Sequence, residues 1–91
     1  MKLYHVECEQ GYNQHIFAQS FDHAAEQFVT WQVANGVSMG DFSVGRISIR
    51  SLPPVEAGDL RDALRLGMEG IGRYDVENGW WIRPINDERS G

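Results

Sequence analysis

From Ser20 to Asn35 apolar residues return at helical spacing, and no other long stretch of the chain shows this. Phe21, Ala24, Ala25, Phe28 and Trp31 fall near i, i+3, i+4, i+7 and i+10 and form one stripe, while Asp22, Glu26, Gln27 and Thr30 point elsewhere. Ser20 or Asp22 can accept from the free N–H groups of the first turn, and Gly36 follows the last periodic residue as a stop. A helix with one apolar face has to bury it against another element. The remaining sequence reads mainly as strand, so the expected architecture is a sheet laid against this helix.

Ninety-one residues give room for a single domain, 1–91, and 42% hydrophobic residues with 11% aromatics are enough for one core. No apolar run nears the roughly 20 residues that span a bilayer, and Met1-Lys2-Leu3-Tyr4 lacks the apolar centre of a signal peptide, so a cytoplasmic location is expected. Cys8 is the single cysteine and reads as a small buried strand residue, with a reactive thiol as the alternative. The net charge of -5 repels a phosphate backbone at long range and disfavours non-specific nucleic-acid binding. Seven of the eight basic residues are arginines, whose planar forks suit carboxylates and aromatic faces.

Lys2 to Glu9 alternates, Tyr4, Val6 and Cys8 on one side and Leu3, His5, Glu7 and Glu9 on the other, as a half-buried strand does. Gln10-Gly11-Tyr12-Asn13 supplies a turn, and Gln14 to Gln19 runs back with Ile16 and Ala18 facing the core. His5 and His15 can approach across this hairpin with Cys8 nearby, but no further ligand has recognisable spacing and no metal or other cofactor is expected. His23 should be solvated in the first helical turn. Phe42 to Leu52 is predicted to be a strand whose outer face shows Arg46 and Arg50, either as a solvated face or as an anion contact. Pro53-Pro54 ends it. A second, short helix should start with Asp59 as N-cap and carry Leu60, Ala63, Leu64 and Met68 before Gly70, and the glycine-rich 67–72 stretch reads as a flexible connection.

Asn78-Gly79 between two β-like runs marks a two-residue hairpin, which sets Glu77 against Trp80, Val76 against Trp81, Asp75 against Ile82 and Tyr74 against Arg83. Trp80 and Trp81 then point to opposite faces. If the sheet carries a helix on one side only, one of them is left exposed or part-covered by a short mobile tail, about 86–91; the alternative is that the short helix covers the second face. The whole is an α+β fold in β-β-α-β-α-β-β order, with four to five antiparallel strands on one main helix.

Tyr4-His5-Val6-Glu7-Cys8-Glu9, then Ile16-Phe17-Ala18-Gln19-Ser20-Phe21-Asp22-His23-Ala24-Ala25, form a hairpin entering a helix through an Ala-x-Ser-x-x-x-Ala-Ala junction. In pattern, over about the first half of the chain, this resembles small phage-borne anti-CRISPR proteins of β-β-α-β type. The resemblance implies an inhibitor that occupies a surface of a bacterial nuclease complex without catalysis, and it fixes no individual residue.

Walker loops, CxxC pairs, nucleophile elbows and His-Glu zinc motifs are absent from the sequence. Three classes of function remain. The favoured one is a non-catalytic protein-binding inhibitor, either of a CRISPR-Cas complex in the host bacterial cytoplasm or, as an immunity protein, of a toxin. Its contact residues would be Trp80, Trp81, Arg83, Tyr74, Arg46 and Arg50, with Glu7 and Glu9 steering a basic partner. The second is a nucleic-acid binder using Arg46, Arg50, Arg73 and Arg83 with a tryptophan as stacking platform. An enzyme would need Cys8 or a histidine as nucleophile or base, and spacing supplies no partner for either.

Overall fold

In the computed structural model, residues 1–37 and 40–84 are described. They form an α+β fold, the class expected. Strands β1 (Lys2–Cys8) and β2 (Asn13–Ala18) precede helix α1 (Phe21–Ala34). Strand β3 (Phe42–Ile47), a 3-10 turn (Ile49–Ser51), helix α2 (Pro54–Arg65), and strands β4 (Gly70–Asp75) and β5 (Gly79–Arg83) follow. The strands make one antiparallel sheet in the spatial order β3-β1-β2-β4-β5.

Side-chain alternation sorts this sheet into two cores. Tyr4, Val6, Ile16 and Ala18 join Ala24 and Phe28 beneath α1, with Phe42, Val44, Trp31 and Cys8 around them. On the other face Leu3 and Phe17 meet Leu60 and Ala63 of α2, with Ile47, Leu64, Trp80 and Ile82 at the margin. The second helix therefore covers the face that a one-sided sheet would leave open. Its cause is visible in β2, where Ile16, Phe17 and Ala18 are consecutive and all fully buried, a run that only a strand covered on both sides can satisfy.

Helix α1 is capped as its sequence predicts. Ser20 Oγ accepts from the His23 amide at 3.2 Å. At the other end Gly36 takes φ 65°, donating to Val33 O while Val37 donates to Gln32 O, the paired closure of a helix that ends on a left-handed residue. The buried face differs from the predicted stripe by a small rotation. Phe21, at its start, is 52% exposed, and Gln32 is fully buried one turn beyond Phe28. Neither polar atom of the Gln32 side chain has a hydrogen-bond partner among the described residues.

Three other expectations need correction. The third strand stops at Ile47, opposite Leu3, because Ser48 turns the chain there into a 3-10 helix by accepting from the Arg50 amide at 3.2 Å. Helix α2 starts at Pro54, a residue preset for the first turn that lacks only an N–H the helix would not use, so Asp59 lies inside the helix and Met68 lies beyond its end. Gly70 and Gly72, read as part of a connection, belong to β4. Gly72 is required there by close approach, since a Cβ would overlap Phe17 Cε1 and stand 2.8 Å from Phe17 Cδ1.

Glu69, just before β4, accepts from the Gln19 amide at 3.2 Å and meets His23 Nδ1 at 2.7 Å. That hydrogen bond, and next the carboxylate's charge, raise the His23 pKa above the ordinary imidazole value. The stabilisation is present below about pH 6.5 and is lost as pH rises through the raised pKa.

Two outcomes test this account of the fold. Phe28→Ala should cost about 3–5 kcal/mol, whereas Gln32→Leu should stabilise by about 1 kcal/mol by removing two unmet polar atoms, both read by urea denaturation. In a proton NMR titration His23 should titrate above about 6.5 and fall back towards that value in Glu69→Gln.

Candidate partner-binding groove

The hairpin of β4 and β5 positions the residues of interest, and its register differs from that of a two-residue turn. Asp75 stands opposite Gly79, Tyr74 opposite Trp80, Arg73 opposite Trp81, and Ile71 opposite Arg83. Val76, Glu77 and Asn78 thus form a three-residue loop, with Gly79 at φ 79° as the left-handed residue such loops require. The Asp75 carboxylate holds this loop, accepting from Asn78 Nδ2 at 3.0 Å and from the Glu77 amide at 2.9 Å. Those bonds, Asn78 first, lower its pKa, so the group is ionised and already engaged. The predicted pairing of Arg83 with Tyr74 is replaced: they lie on opposite faces.

Trp80 belongs to the α2 side. Its ring meets Phe17 at 5.3 Å, Tyr74 at 5.3 Å and His15 at 5.6 Å between centroids, and its indole Nε1 is buried without a partner among the described residues. Tyr74 donates to Asp59 Oδ2 of α2 at 2.9 Å, and that bond, ahead of burial, raises the tyrosine pKa. Both residues therefore serve to lock hairpin to helix.

Trp81 is on the other face and 61% exposed. Helix α1 does not reach it, because α1 lies above β1, β2 and β3; its flank towards β4 is set where Gln27 Nε2 donates to Phe17 O at 3.4 Å. Between that flank and the hairpin runs an open groove of about 1520 Å³. Trp31 and Asn35 line the helix side, Ile71 and Gln14 the floor, and Trp81 and Arg83 the hairpin side. Arg73, directly across from Trp81, adds a second guanidinium. Neither arginine has a carboxylate within 4.0 Å among the described residues.

The other predicted contact residues do not join this site. Arg46 lies on β3, four strand spacings or roughly 19 Å from β5, and Arg50 lies in the 3-10 turn, so the two share no sheet face. Glu7 and Glu9 are exposed where β1 ends, with β2 between them and β4. His5 and His15 do face each other, ring centroids 5.1 Å apart, and burial, followed by the His5 charge, lowers the His15 pKa. Cys8 is on the α1 side, away from both. Among the described residues no three His, Cys, Asp or Glu side chains converge in a way that could hold a metal ion, and no helix is long and apolar enough to cross a membrane. The tail, 86–91, lies outside the described residues.

Comparison with known proteins gives no match to a family model, to a curated protein or to a solved structure. The groove is thus the feature from which a function has to be argued.

Trp31, Gln14 and Asn35 were not foreseen as groove residues. Trp31 carried a signal, lying at the edge rather than the centre of the helical stripe. Separate tryptophan variants check the assignment: Trp80→Ala should cost about 3–5 kcal/mol of stability, and Trp81→Ala should stay within about 0.5 kcal/mol of wild type in chemical denaturation.

Proposed function

We propose that this chain is a non-catalytic binding module whose contact face is the groove between α1 and the β4–β5 hairpin. The observation that carries the proposal is Trp81, exposed on a sheet face beside two arginines that have no carboxylate partner among the described residues. Aromatic and arginine side chains together are the residues that most often anchor protein interfaces. The narrower proposal, an inhibitor of anti-CRISPR type acting on a bacterial nuclease complex, rests on the hairpin-to-helix resemblance alone. An immunity protein directed at a toxin uses the same groove and the same physics. Exposed Glu7 and Glu9 belong to either version as residues that speed approach to a basic partner.

Nucleic-acid binding is the second reading, favoured by the same Trp81, Arg73 and Arg83, which can stack a base and meet a phosphate. A net charge of -5 opposes it over the rest of the surface.

The test is affinity capture of the tagged chain from its host, with mass spectrometry, run in parallel for Trp81→Ala and Arg83→Gln. A protein partner retained by wild type should be lost or weakened by about 2 kcal/mol in Trp81→Ala, with the melting temperature unchanged. Capture unaffected by either variant overturns the groove as the contact face. An affinity for oligothymidine that falls steeply with salt moves the function to the second reading.

A further inference from the structure

Strand β5 ends the sheet. It pairs with β4 on one side, and among the described residues no strand pairs with its other edge. From Gly79 to Arg83 it contains neither a proline nor a lysine, two of the residues that commonly block a free edge. Trp80 and Ile82 are turned under α2, so the two cores fix the orientation of every β5 side chain. Trp81 and Arg83 consequently stand on the open face two residues apart, which is the repeat of an extended chain.

We propose that the β5 edge and its groove accept an extended acidic peptide segment of a protein partner as a sixth strand. This rests on the reading of the groove as a protein-binding face and names the chemistry it recognises. The backbone of the incoming segment pairs with β5. On the groove side an apolar residue lies against Trp81, and a Glu or Asp two positions along lies against Arg83. Arg73, one strand further in, keeps that face cationic. The acidic character of the occupant follows from charge. Two guanidinium groups in the groove have no carboxylate within 4.0 Å among the described residues, while Asp75, the acid nearest in the hairpin, is engaged by its own loop. A strand with a carboxylate two positions from an apolar residue supplies what is missing at the period the site presents. Nucleic acid fits less well, since its many phosphates meet an otherwise acidic chain of net charge -5.

The experiment titrates the isotope-labelled full chain with the blocked hexapeptide acetyl-Thr-Val-Thr-Glu-Thr-Glu-amide, whose valine and glutamates share one face of an extended chain, followed by backbone amide and indole NMR shifts up to millimolar peptide. Saturable shifts should run along Gly79 to Arg83 and include the Trp81 indole. Replacing the glutamates by glutamine should weaken binding about tenfold, and Arg83→Gln should do the same with an unchanged melting temperature. N-methylation of alternate peptide nitrogens should abolish it, because a sixth strand needs those N–H groups. Absence of saturable shifts overturns the inference, as does binding indifferent to Arg83→Gln or to N-methylation, or shifts confined to β3. Tighter, salt-sensitive binding of oligothymidine at the same residues replaces the peptide by nucleic acid. Concentration-dependent self-association in sedimentation, with shifts at β5, replaces it by a second copy of the chain. If Trp81→Ala abolishes partner capture but the peptide does not bind, the groove remains the contact face and only strand addition falls.

Discussion

Everything in this fold hangs on the β1–β2 hairpin being buried on both faces at once. Leu3 and Tyr4 are adjacent in sequence yet belong to different cores, as are Ile16 and Phe17. Each helix is held by one set of these side chains, α1 by Tyr4, Ile16 and Phe28, α2 by Leu3, Phe17 and Leu60. Slipping the register by one residue would exchange the sets and leave both helices facing the wrong side chains. Such a strand pair admits one arrangement of its neighbours.

That constraint propagates to the C-terminal hairpin. Strand β4 pairs with β2 through His15–Gly72, Ile16–Ile71 and Phe17–Gly70, so the face of every residue in β4 is dictated by β2. Gly72 lies on the side where Phe17 and Trp80 take the space, a Cβ at Gly70 would meet the backbone of Arg83 and Pro84, and Ile71 lies on the side of α1. Pairing of β4 with β5 then sends Trp80 inward beneath α2 and Trp81 outward beside Arg73 and Arg83. The groove arises because the two helices cover different parts of the sheet. Helix α1 is centred on β1 and β2, where its partners are, while α2 extends over β5 through Trp80 and Ile82. One corner of the sheet is left with a cover on only one side.

This corner differs chemically from the rest of the surface. The chain as a whole is acidic, and its free carboxylates set the long-range field, but within the groove the charged side chains among the described residues are Arg73, Arg83 and the already engaged Asp75. A partner approaching from afar and a partner seated in the groove therefore meet opposite signs. Long-range charge governs approach, and desolvated contacts govern retention, so the two can be tuned separately. Trp81, exposed on the sheet face, adds the apolar area that a charged contact alone lacks.

The sequence by itself determined the elements whose signals are local. Ser20 and Gly36 bounded α1, alternation placed β1 and β2, the α+β class followed, and the opposite orientation of Trp80 and Trp81 was readable from their adjacency. It also carried, in Ile16-Phe17-Ala18, the mark of a strand covered on both faces, although alternation of β1 suggested a half-buried one. The tertiary structure alone decided which tryptophan is exposed, because that depends on where α2 lands, and α2 lands by packing Leu60 and Ala63 on Leu3 and Phe17, residues more than forty positions away. It likewise decided the end of β3, where Ser48 caps the 3-10 turn, and the hairpin register, where pairing of β4 with β2 and the Asp75 bonds to Glu77 and Asn78 select a three-residue loop over the two-residue turn that Asn78-Gly79 suggests. The separation of Arg46 and Arg50 from Arg83 has the same origin. Local pattern says which way a side chain alternates, and only long-range pairing says what it then meets.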